Sequence, residues 1–108
     1  MHIRDLSRAA IVIALGAVPI VAMAVPPVTM IGGLGNFDVP NNTDGGCNEF
    51  EIELEGPHPE DVYHTYYNYN YHAPVITALP DGSGIRVLYT NPNHTTLNGT
   101  IEHFGVSL

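Results

Sequence analysis

Covalent cross-links and positive charge are both scarce in this chain. Cys47 is the only cysteine, so no disulfide can close within one molecule. Its two readings are a buried free thiol and, because it adjoins Gly45-Gly46 at a loop end, a bridge to another molecule. Lysine and arginine together number 3 against 11 acids, for a formal net charge of −8. A surface of that sign repels phosphate backbones and anionic headgroups, which excludes nucleic acid as a partner. Tryptophan is absent and phenylalanine numbers only 3, so aromatic bulk has to come from tyrosine. Serine-nucleophile motifs, phosphate loops and paired His or Cys spacings are missing too, and nothing repeats at a fixed period. The expectation is a non-catalytic protein with no cofactor.

Long apolar runs are limited to the N-terminus. Arg4 and Arg8 precede AAIVIALGAVPIVAMA, which ends in the small-x-small pattern Ala22-Met23-Ala24, the arrangement of a secretory signal peptide with a helical apolar middle. The rival reading, a retained anchor, is too short: the run from Ala9 to Ala24 falls below the ~20 residues a bilayer requires, and Pro19 interrupts it. Cleavage after Ala24 would leave 84 residues (108 − 24) with Arg86 against ten acids, a charge of −9. The expected location is therefore secreted, periplasmic or at the cell surface, with membrane met only in transit. A domain of this size buries only ~60–65% of its unfolded surface. Without a disulfide it benefits from a partner, and a homo-oligomer is one form such help takes.

Residues 25–46 read as an irregular arm, since prolines, glycines and Asn/Asp turn residues recur throughout VPPVTMIGGLGNFDVPNNTDGG. Met30-Ile31 and Phe37 are its docking points, as a short edge strand or as loop anchors. Its cluster Asp38, Asn41, Asn42 and Asp44 has the hard oxygens calcium favours, but Pro40 breaks the required order. Residues 47–108 read as the β-domain. In NEFEIELEG the parity is strict, with Phe50, Ile52 and Leu54 on one side and Glu49, Glu51, Glu53 and Glu55 on the other, the mark of a strand with one buried face. Pro59-Glu60-Asp61 suits a short helical turn, with proline at N1 and acids at the positive dipole end. PVITAL and GIRVLYT flank the turn residues PDGSG as a hairpin, with Ile85, Val87 and Tyr89 on one side. TIEHFGVSL forms a last strand with Phe104, Val106 and Leu108 in register. The fold class is all-β, a small antiparallel sandwich or partial barrel.

The stretch VYHTYYNYNYH holds five of the six tyrosines. Extended, it would set Tyr67, Tyr69 and Tyr71 on one face at ~6.8 Å intervals. That makes Tyr66, Tyr67, Tyr69 and Tyr71, with Arg86 as the lone cation, the candidate surface for a glycan or a protein partner. The competing role for these rings is core bulk, with hydroxyls at the rim. A second alternative is a self-assembling envelope or surface component that pairs its edge strands. The third is a metal site built from His64, His72, His94 and His103. It requires a tight chain reversal, because eight residues of strand separate His64 from His72 by ~27 Å.

Overall fold

The computed structural model describes Arg8–Ala14, residues 29–67 and residues 69–108. The expected cleavage point at Ala24 and the start of the arm lie outside the described residues. Among the described residues the fold is an all-β sandwich of two four-stranded sheets. The first has the order β1-β4-β7-β6, from Arg8–Ala14, Glu49–Glu55, Gly84–Thr90 and Val75–Ala78. The second has the order β2-β3-β8-β5, from Ile31–Gly33, Asn36–Pro40, Ile101–Ser107 and His64–Tyr66.

The two-residue rhythm translates directly into layers. Phe50, Ile52 and Leu54 of β4 and Ile85, Val87 and Tyr89 of β7 are buried, and the register pairs Phe50 with Tyr89, Ile52 with Val87 and Leu54 with Ile85. From the other sheet come Phe37 and Val39 of β3 and Phe104 and Val106 of β8. Phe104 is the hub: its ring centroid lies 4.4 Å from Tyr89, 5.3 Å from Phe50, 5.4 Å from Tyr71 and 6.1 Å from Phe37, all tilted arrangements that aromatic quadrupoles favour. Tyr71 and Tyr89 thus supply the bulk that tryptophan would otherwise provide.

The β6–β7 connection is closed by Asp81, whose carboxylate accepts from the Ser83 backbone N–H at 3.0 Å and from its hydroxyl at 2.6 Å. Gly82 takes the left-handed conformation (φ 74°) that this turn demands. A 3-10 turn at Pro59–Asp61 gives way to β5, as the proline and acid pattern suggests.

Three placements differ from the sequence reading or sharpen it. Arg8–Ala14 is extended and pairs in parallel with β4 along its whole length, where the sequence suggested part of a leader helix. The β-branched Ile11, Val12 and Ile13 suit a strand, and β4 offers a seven-residue edge to pair with. In the arm, β2 and β3 form a hairpin, and β3 pairs with β8, matching Phe37 to Phe104, so of the two docking forms offered for Ile31 and Phe37 the strand is the one present. Turn residues ended these strands early without preventing them. Finally, Leu108 lies beyond β8 and is 45% exposed, while Glu102 shares the inward parity of Phe104 and Val106 and is buried.

Candidate functional site

β5 is a three-residue edge strand, held to β8 by the register His64 to Ser107, Thr65 to Val106 and Tyr66 to Gly105. Beyond Tyr66 the chain leaves the sheet and turns back. The Tyr71 backbone N–H bonds the Tyr67 carbonyl at 3.4 Å, and Tyr69 sits at φ 57°, the left-handed region that bulky residues seldom occupy. This turn replaces the straight strand that would have set Tyr67, Tyr69 and Tyr71 on one face, and it sorts the rings into two sets.

One set opens to solvent. His64, Thr65, Tyr66, Tyr67 and Tyr69 line a cavity of about 250 Å³ beside the β5 edge. Tyr66 is 41% exposed and Tyr69 is 96% exposed, whereas Tyr67 is half-buried and packs against the core. The other set turns inward. Tyr71 is buried with its ring edge-on to Phe50 at 5.6 Å and to His94 at 5.4 Å, so it does not belong to the open surface. Its hydroxyl lies 2.5 Å from Thr96 Oγ1, and burial pushes its pKa well above the ordinary value.

The turn is anchored from beneath by buried polar groups. Glu102 Oε2 accepts from Thr96 Oγ1 at 2.6 Å and lies 2.8 Å from His94 Nε2, while Oε1 accepts from Asn70 Nδ2 at 2.9 Å. Asn91 Nδ2 donates to the Asn70 carbonyl at 2.8 Å. Burial works to raise the Glu102 pKa, but the hydrogen bonds from Thr96, His94 and Asn70 outweigh it and hold the carboxyl below its ordinary range. A neighbouring knot closes the 41–47 loop. Asn41 Nδ2 donates to the Gly45 and Thr96 carbonyls, both at 2.7 Å, and Cys47 exchanges two backbone hydrogen bonds with Thr96. Residues 69–71 are therefore fixed to β8 and to the 91–100 loop, which sets the direction of the cavity wall. The sequence carried one sign of this: Glu102 falls on the apolar parity of its strand, where a charge needs partners. Thr96, Asn70 and Asn41 gave no comparable sign.

Arg86 is positioned elsewhere. It extends from β7 in the first sheet, its Nη2 donating to Glu53 at 3.1 Å and its Nε lying 3.2 Å from Glu51, as an ion pair rather than an aligned hydrogen bond. It takes no part in the cavity, whose lining comes from the β5 segment of the second sheet. The four histidines are dispersed. His64 lines the cavity, His72 is exposed after Tyr71, His94 pairs with Glu102, and His103 pairs with Asp38 on β3. Among the described residues no three His, Cys, Asp or Glu side chains converge as a metal-binding group.

Comparison with protein families, characterised proteins and solved structures found no match to this chain. The functional reading therefore rests on the cavity itself.

Proposed function

We propose that the protein is an exported, non-catalytic binding module whose tyrosine cavity takes a neutral sugar unit. The observation that carries this reading is the convergence of Tyr66, Tyr67 and Tyr69 with His64 and Thr65 around one opening. Tyrosine faces stack on the C–H faces of a sugar ring, while phenol, imidazole and threonine hydroxyl groups match its alcohols. At about 250 Å³ the cavity sits just under the ~300–1,000 Å³ of drug-sized sites, which suits a single ring rather than a long chain. The net charge of −8 disfavours anionic sugars. The described lining residues bring aromatic faces, an imidazole and a hydroxyl to the opening, groups suited to holding a neutral ring.

The test is a titration of the full chain with a panel of neutral mono- and disaccharides, followed by side-chain NMR of the tyrosines. Saturable shifts confined to Tyr66, Tyr67 and Tyr69, and lost in a Tyr66→Ala/Tyr69→Ala variant, support the reading. Unmoved resonances at millimolar sugar across the panel overturn it.

A further inference from the structure

Of the described strand pairs, β1–β4 alone is parallel. Its register is continuous over seven residues: Arg8 with Glu49, Ala9 with Phe50, Ala10 with Glu51, Ile11 with Ile52, Val12 with Glu53, Ile13 with Leu54 and Ala14 with Glu55. The apolar set Ala9, Ile11 and Ile13 thus matches the buried row of β4, and the one cation of β1, Arg8, is in register with an acid. Yet β1 lies within the segment whose sequence reads as a removable leader.

Loss of that segment would transform β4. The other edge strands are short, three residues in β2, three in β5 and four in β6. β4 would become a seven-residue edge, straight in its alternation and unpaired on one side. Long unpaired edges recruit strands, and proteins seldom leave them open.

We propose that β1 is the removable occupant of a strand-acceptor site on β4, and that in the chain cleaved after Ala24 this site takes up an extended segment of a partner protein. The segment runs parallel to β4, apolar at the positions of Ala9, Ile11 and Ile13 and basic at alternate ones. Backbone hydrogen bonding along the edge supplies affinity, and the alternating positions supply selectivity. The glutamate row decides against a second copy. Another β4 laid alongside would bring Glu49, Glu51, Glu53 and Glu55 next to their own kind, and like charges on adjacent strands are destabilising. After residue 24 the only Lys or Arg is Arg86, already engaged by Glu51 and Glu53, so a copy has no cation with which to relieve the row. A basic partner strand does. This inference rests on removal of the leader and is independent of the tyrosine cavity.

The experiment starts from the whole chain, folded with a specific protease site placed after Ala24, then cut. The probe is a fluorescent peptide carrying residues 8–14 with polar flanks, followed by anisotropy, with amide exchange read at residues 49–55. Saturable binding to the cut chain, at least tenfold weaker binding to the uncut one, and restored protection of the β4 amides are the expected results. Peptides with Arg8→Glu or Ile11→Pro should bind at least tenfold more weakly than the parent. Three outcomes overturn the proposal: a cut chain that stays folded but ignores the peptide, equal binding to cut and uncut chains, or loss of the β-sheet circular dichroism once β1 departs. Dimerisation of the cut chain, read by sedimentation, would overturn the choice of occupant.

Discussion

Thr96 gives its hydroxyl proton to Glu102, with 2.6 Å between Oγ1 and Oε2. A hydroxyl has one proton, so the 2.5 Å contact between Thr96 and Tyr71 has Tyr71 as its donor. The chain of bonds therefore runs from phenol to hydroxyl to carboxylate and ends on the one buried charge of β8. Sequential donation toward a carboxylate strengthens each member, and together with the bonds from His94 and Asn70 it keeps Glu102 ionised despite its burial.

Acid should unfold the protein through this residue. The folded pKa of Glu102 is depressed below its ordinary value of 4.5, so its contribution to stability is fully present above about 4.5 and is lost as pH falls through the lower folded value. Asp81 is also depressed, by hydrogen bonds from Ser83, but it lies on an exposed turn. Urea midpoints measured from pH 7 to pH 3 should fall on the acid side in the native protein. Glu102→Gln should lower stability at pH 7 by about 1–3 kcal/mol, because it places an amide donor among existing donors. It should also flatten the acid limb, whereas Asp81→Asn should leave the limb largely in place.

Tyr71→Phe isolates the phenol. The ring packing on Phe50 and Phe104 survives, and only the hydroxyl's contacts with Thr96 Oγ1 and, at 3.4 Å, with the Cys47 carbonyl are lost. A loss of about 1–2 kcal/mol is expected by chemical denaturation. Tyr71→Ala removes the ring from the aromatic cluster and should cost about 3–5 kcal/mol. If Phe proves as costly as Ala, the polar chain rather than the packing holds this residue.

How far the sequence reveals this arrangement can be seen residue by residue. The rows of β4 and β7 were legible because alternation with a period of two admits one burial pattern, and Phe50, Ile52, Leu54, Ile85, Val87 and Tyr89 obey it. The tyrosines were not, since Tyr69 and Tyr71 share the parity of a straight strand yet end on opposite sides of a turn. That turn depends on a left-handed tyrosine, a conformation no propensity scale assigns, and on long-range anchors from Asn91 and Glu102. β3 was legible only as one of two docking forms for Phe37, for another reason. Its flanking glycines and Pro40 speak for turns, while its strand character comes from pairing with β8, more than sixty residues later in the chain.

Cys47 should behave as an inert thiol. It is fully buried, and burial raises its pKa more than the hydrogen bonds of Thr43 and Asn41 lower it. An aromatic disulfide reagent at pH 8 should therefore label the folded chain at least a hundredfold more slowly than the chain in 6 M guanidinium. Non-reducing electrophoresis of freshly purified protein should show one monomer band. A disulfide-linked dimer would require the Cys47–Thr96 bridge to open first.

Gly105→Ala tests the closeness of two backbones. A Cβ at this position of β8 would overlap the Gly35 carbonyl oxygen in the β2–β3 turn. The next residue, Val106, donates its N–H to the Leu34 carbonyl at 2.8 Å, so the turn cannot simply withdraw. Overpacking of this kind costs about 1–3 kcal/mol. Thermal denaturation should show the loss, and Gly33→Ala, where a Cβ meets nothing within 4 Å, is the matched control.

Tyr69 holds strain at the rim of the cavity without packing to compensate for it. A non-glycine residue in the left-handed region costs ~1–2 kcal/mol, and a ring that is 96% exposed returns little by burial. Strained residues of this kind cluster where a ligand is held. Tyr69→Gly relieves the backbone but loosens the unfolded chain, so stability should be unchanged or higher by up to about 1 kcal/mol. Tyr69→Ala keeps the strain and should be no more stable than the native protein. Both remove the ring and should weaken neutral-sugar binding at least tenfold by NMR titration. Equal affinity in all three proteins would mean that the exposed ring has no ligand to meet, and that the left-handed turn serves only to bring Tyr71 into the core.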